Sequence, residues 1–172
     1  MRKTKVIAQS AVLIALALAL SYTERFIPLQ LVIPLPGVKL GLANIVTLVA
    51  LYLLGWKQTL PIVVIRCFLG ALFGSLTGLA FSLTGGLISL AVMAVCKNMP
   101  VFSIYGVSVL GAAAHNIGQI LAAMVLMASV YVGAYLPYLL CIAICTGLAT
   151  GAACCGVLRT FKAVPISKEM NR

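Results

Sequence analysis

Arg66 is the residue whose type and position demand an explanation first. It sits in the middle of the otherwise uncharged stretch from Gln58 to Cys96, in a chain with 12 basic and 2 acidic residues among 172. A guanidinium at bilayer depth costs about 3 kcal/mol or more, so it is expected to face a cavity and to have a counterpart. The two acids are Glu24 and Glu169, and the expected counterpart is an anionic ligand, a set of backbone carbonyls or water, not a carboxylate of this chain. Four further polar side chains lie within apolar runs. His115 and Gln119 share one helical stripe with Ser108, Asn116 stands one step round the same helix, and Asn44 lies near the start of an earlier run. At about 1.5 Å per residue His115 is roughly 18 Å from Phe102, near the midplane. Arg66, His115, Asn116, Gln119 and Asn44 are therefore expected to converge on one outward-open cavity that holds a small molecule. Each is also a residue type that ties helices together by hydrogen bonds.

Other chemistries are excluded by what the chain lacks. There is no aspartate, so no acidic cluster exists to hold the magnesium ions with which prenyl-chain synthases ionise a diphosphate. No phosphate-binding Gly-x-x-x-x-Gly-Lys-Ser/Thr segment is present. Cys141 and Cys145 share a helical face, but no His or carboxylate is spaced with them. No metal and no cofactor is expected, and the six cysteines read as small packing residues. A proton-coupled carrier would have His115 as its sole intramembrane titratable switch.

The elements that must position these residues are transmembrane helices. Hydrophobic residues make up 63% of the chain and charged residues 8%, a composition of polytopic membrane proteins. Apolar runs predict spans at 6–22, 40–55, 58–74, 78–96, 104–128 and 136–158, a single all-α integral membrane domain over 1–172. Six spans place both termini on one side. Arg2, Lys3, Lys5, Lys57, Lys97, Arg159, Lys162, Lys168 and Arg172 then share a face, against Arg25 and Lys39 on the other. That asymmetry places the N and C termini in the cytoplasm. The net charge of +10 is thus a topology signal and not a nucleic-acid footprint. The first run is followed by Tyr22-Thr-Glu-Arg25 in place of a small-residue cleavage site, and is read as a retained helix.

The connection 23–39 carries Pro28, Pro34 and Pro36 among apolar residues, which disfavours a helix and suggests an extended flap, either a lid over the bundle mouth or an interfacial segment. The repeated Ser-Leu-Thr-Gly at 75–78 and 82–85 predicts a kinked or re-entrant connection between the third and fourth spans. Ala8, Ala11, Ala15 and Ala19 form one small-residue row, Gly70, Gly74 and Gly78 a second, and Gly147 with Gly151 a third. Such rows let helices approach closely.

Three segments carry a resemblance: Pro36-Gly-Val-Lys-Leu-Gly-Leu-Ala-Asn44, Phe81-Ser-Leu-Thr-Gly-Gly-Leu-Ile-Ser-Leu90, and Gly106-Val-Ser-Val-Leu-Gly-Ala-Ala-Ala-His-Asn-Ile-Gly-Gln119. Over nearly the whole chain they resemble the Gx transporter family, often labelled heptaprenyl diphosphate synthase component I. That family is similar to the S components of energy-coupling-factor (ECF) transporters. The resemblance implies an S-component-like six-transmembrane-helix bundle that binds a small anionic or amphipathic molecule near the outer side of a bacterial cytoplasmic membrane. It also implies that Ala11 and Ala15 dock a coupling subunit, with separate ATPases supplying the energy. The ligand residues do not carry over. Two other functions fit the topology: a non-catalytic accessory of prenyl diphosphate synthesis, with Arg66 on the diphosphate, and a scaffold of a quinone or redox complex.

Overall fold

The computed structural model describes residues 3–26, 39 and 41–161. The described residues are helical, without strands. In chain order they form α1 (Lys3–Thr23), a 3₁₀ turn (Glu24–Phe26), α2 (Asn44–Leu54), α3 (Trp56–Leu72), α4 (Leu76–Lys97), α5 (Ile104–Leu126), a second 3₁₀ turn (Val130–Tyr135) and α6 (Leu136–Phe161). Of the connection 23–39 expected as an extended flap, residues 24–26 form the 3₁₀ turn, while 27–38, and the tail after 161, lie outside the described residues.

Local chemistry sets the boundaries. Ser75 and Ser103 cap α4 and α5, each hydroxyl accepting from the backbone N–H three residues on, at 3.0 Å from Gly78 and 3.3 Å from Gly106. Gly55, with φ of +82°, is the single residue between α2 and α3, a backbone state that glycine adopts without penalty. Where a kinked or re-entrant connection was expected, the chain makes a short turn. α3 ends at Leu72 and α4 starts at Leu76, with Phe73 to Thr77 exposed at the bundle edge, because Ser75 is used as a helix cap.

Length separates the helices into two groups. Thr4–Thr23, Leu76–Lys97, Ile104–Leu126 and Val130–Thr160 are long and apolar enough to cross a membrane. The spans expected at 40–55 and 58–74 are shorter. α2 has 11 residues and α3 has 17, or about 16 Å and 26 Å at the helical rise, against a hydrocarbon core of about 30 Å. α2 begins only at Asn44 because Gly41, with φ of +82°, turns the chain first. The turn is closed by bonds from Asn44 N–H to Gly41 O at 2.8 Å and Ile45 N–H to Leu42 O at 3.0 Å.

The tightest packing joins α4 to α5 and α5 to α6. A Cβ on Gly118 would stand 2.8 Å from Gly85 Cα, and one on Gly147 would stand 2.6 Å from Val109 Cα. Both are backbone contacts that only glycine permits. Ser89 Oγ donates to Gly111 O across α4–α5 at 2.8 Å, and Ser108 and Thr150 hydroxyls pair across α5–α6 at 2.6 Å. The Gly147–Gly151 row thus packs as expected. In the second row a Cβ on Gly70 would stand 3.8 Å from Leu18 of α1, and one on Gly78 would stand 3.2 Å from its own cap, Ser75 Oγ. At the basic end Lys97 donates to Leu51 O at 3.1 Å and lies 4.7 Å from the Tyr52 ring centre, joining the C-terminal ends of α2 and α4.

Candidate functional site

Polar side chains gather where α3, α4 and α5 meet the turn into α2. The consecutive glycines of α4 make the gathering possible. A Cβ on Gly85 would stand 2.8 Å from His115 Nδ1, and one on Gly86 would stand 3.2 Å from Arg66 Nη2. His115 and Arg66 thus lie against two adjacent positions of one helix. On its other edge His115 meets the α2 turn, since a Cβ on Gly41 would stand 3.1 Å from His115 Cδ2 and 3.0 Å from Asn44 Nδ2. Arg66, His115 and Asn44 are therefore linked through Gly86, Gly85 and Gly41 in one contiguous polar cluster.

The cluster is buried and incompletely satisfied. Arg66 is 5% exposed, Asn44 5% and His115 4%. Among the described residues, Arg66 Nε and Nη2, both amide atoms of Asn44 and His115 Nδ1 have no hydrogen-bond partner. Buried polar groups are ordinarily paired, and each left unpaired costs about 1–3 kcal/mol. Five of the six buried side-chain atoms that lack a partner among the described residues belong to these three residues, the sixth being Gln9 Oε1.

Gln119 is placed differently. Its Nε2 lies 2.7 Å from His115 Nε2 and donates to Lys39 O at 3.1 Å, while its Oε1 accepts from Lys39 N–H at 3.2 Å. Gln119 reads the backbone of Lys39 with both amide atoms, clamping the end of the 23–39 connection to α5 and orienting the histidine. The Lys39 ammonium donates to Ser82 Oγ at 3.1 Å. Asn116 leaves the cluster. Its Nδ2 donates to Leu139 O at 2.8 Å, so the side chain faces α6 and fastens two helices, as the one-step offset from His115 on the helix allows. Asn116→Ala is expected to destabilise the bundle by about 1–2 kcal/mol without weakening ligand retention, as read by thermal unfolding and native mass spectrometry.

Glu24 lies near enough for Arg66 to act on its charge, but among the described residues no ion pair joins the two. Glu24 is 6% exposed, in the 3₁₀ turn that follows α1, and its carboxylate accepts from Leu42 N–H. Burial pushes its carboxyl above the usual carboxylate range, opposed by the Leu42 N–H and by the positive charges of Lys39 and Arg66. The acid therefore acts on Arg66 through space, while the Nε–Nη2 edge keeps no bonded partner. Glu24, Lys39, Gly41 and the Gly85–Gly86 pair were not among the residues expected to build the site. The available signal was that Glu24 and Lys39 bound the proline-rich connection, which brings both ends to one mouth.

Residues 13–156 match the model of the family described as heptaprenyl diphosphate synthase component I. The chain belongs to that family. The matched segment includes every residue of the cluster, from Glu24 to Gln119. No curated protein and no solved structure matches the chain. As a member of the heptaprenyl diphosphate synthase component I family it is a multi-pass, helical membrane protein, and its cluster consists of one guanidinium, one carboxyl, one imidazole and two amides, all buried, with the half-buried ammonium of Lys39 at its edge.

Proposed function

We propose that this protein is a substrate-binding membrane subunit, S-component-like, for uptake of a small anionic or amphipathic molecule, energised by separate coupling and ATPase subunits. One observation carries the reading: Asn44, Arg66 and His115 are buried beside the Gly41 turn and the Gly85–Gly86 pair, and the Asn44 amide, the Nε–Nη2 edge of Arg66 and His115 Nδ1 have no hydrogen-bond partner among the described residues. A bundle held together by these groups would satisfy them internally. A bundle that binds a guest leaves them for the guest.

In this reading the six helices form a six-span bundle in the bacterial cytoplasmic membrane, with both termini in the cytoplasm. The short α2 begins beneath the outer surface and is preceded there by the Gly41 turn. Ala11 and Ala15 are exposed on α1, while Ala17 on the opposite side is fully buried. This leaves the small-residue face of α1 open to a coupling subunit. The chain itself performs no synthase chemistry, since it has no aspartate with which to hold magnesium and diphosphate.

The family description favours a second reading, a non-catalytic accessory that presents a prenyl diphosphate to a soluble synthase. Both are tested in one preparation. Gently extracted protein is expected to retain a small molecule in native mass spectrometry, and to co-purify with a coupling subunit and ATPases in a manner weakened by Ala11→Trp or Ala15→Trp. Assembly unchanged by both substitutions counts against transport. Activation of a purified prenyl transferase on adding this protein would favour the accessory role.

A further inference from the structure

The unpartnered atoms of Arg66 specify more than negative charge. Nε and Nη2 form one edge of the guanidinium, with two parallel N–H bonds spaced to meet both oxygens of a planar carboxylate. That edge is the unpaired one. The edge is buried against α4 at Gly86, where any side chain would crowd Nη2 from 3.2 Å. Asn44 adds an uncharged donor and acceptor, both unpaired, linked to Arg66 through His115 and the three glycines.

Charge sets the valence of the guest. The cluster contains two cations, Arg66 and Lys39, and one acid, Glu24, on which both cations act. With the imidazole uncharged the sum is +1 if Glu24 is ionised and +2 if the burial that raises its carboxyl keeps it protonated, a net positive charge that one carboxylate reduces without reversing. A diphosphate, with about three negative charges near neutral pH, would leave excess negative charge in a buried site, where such charge is strongly unfavourable.

On this basis, and resting on the binding role proposed above, we infer that the ligand is a monocarboxylate, gripped side-on by the Nε–Nη2 edge of Arg66 and read at a neighbouring polar group by Asn44. Its source is either a small water-soluble acid or a fatty acid drawn from the membrane, since the same edge serves both.

The test is thermal unfolding of the purified, detergent-solubilised protein with benzoate, oleate or inorganic pyrophosphate, alongside native mass spectrometry of the untreated protein. Benzoate raising the unfolding temperature supports a small acid, and oleate doing so supports a lipid-derived one. Arg66→Lys, which keeps the charge and loses the planar fork, is expected to weaken the carboxylate response at least about tenfold in concentration. The wild-type comparison needs no variant and stands even if that variant folds poorly. Stabilisation by pyrophosphate and not by either carboxylate overturns the inference while leaving a binding role intact, as does a retained molecule that lacks a carboxyl group. No response to any probe together with no retained molecule overturns both.

Discussion

Arg66→Met is expected to give a protein that unfolds at a higher temperature than wild type when empty, yet no longer retains its ligand. The sign of the stability change is the informative part. The guanidinium is 5% exposed and two of its nitrogens have no hydrogen-bond partner among the described residues. Its removal from water is thus incompletely compensated, and Glu24 opposes that cost only through space. Replacing an imperfectly paired buried ion with an apolar side chain of similar length is often neutral or stabilising, by about 1–4 kcal/mol. If Arg66 instead held the bundle together, the same substitution would lower stability by about 3–5 kcal/mol. Losing a buried charge-assisted contact should weaken binding by about 2–5 kcal/mol, from thirtyfold to a few thousandfold. Thermal unfolding of the stripped protein and mass spectrometry of the gently extracted one separate these outcomes, and a destabilised variant that still carries the ligand would refute the assignment.

Gly118→Val should be the most damaging single substitution away from the polar cluster. A Cβ at Gly118 would stand 2.8 Å from Gly85 Cα, 2.9 Å from Thr84 O and 3.0 Å from Gly85 N. All three neighbours are backbone, so no rotamer change can relieve the clash and α4 must move away from α5. Overpacking of this kind costs about 3 kcal/mol. The displaced segment carries Gly85 and Gly86, against which His115 and Arg66 rest, so ligand retention should fail together with stability. Gly156→Ala is the control. Nothing lies within 4 Å of the added Cβ, and alanine's better helix propensity should leave stability equal or raised by up to about 1 kcal/mol. Equal behaviour of the two variants would mean that the α4–α5 contact is not close in the folded protein.

Helix placement was legible because lipid imposes a simple code. Apolar runs predicted 78–96 and 104–128, and the helices are Leu76–Lys97 and Ile104–Leu126. The prediction weakened where a local backbone device intervened. At 40–55 the run of apolar residues extends past a left-handed glycine, and helix begins only after it. At 74–78 the small polar residues suggested a kinked or re-entrant stretch, and the chain makes a short turn there with Ser75 as the cap of α4. Periodicity records which side chains are apolar, and it does not record which hydroxyl will accept a backbone N–H.

The polar residues divide in the same way. Arg66, His115 and Asn44 were identifiable because an ionic or amide group within an apolar run is costly wherever it points, and all three are found linked through the glycines. Their neighbour Asn116 has the same chemistry and faces Leu139. Gln119, expected to meet the ligand, spends both amide atoms on Lys39 and touches His115. A rotation of about 100° per residue separates one face of a helix from the next, and the identity of the neighbouring helix on each face is a tertiary matter.

From the amino acids alone it was determined that this chain lives in a membrane, that it is helical, and that a cation lies within its apolar bulk, because those conclusions depend on transfer energies summed residue by residue. The tertiary structure alone decided that Glu24 and Lys39 join that cation from both ends of the proline-rich connection, and that Gly85 and Gly86 make room for the ring and the guanidinium. Those facts depend on how closely two backbones approach, a distance that no single helix contains.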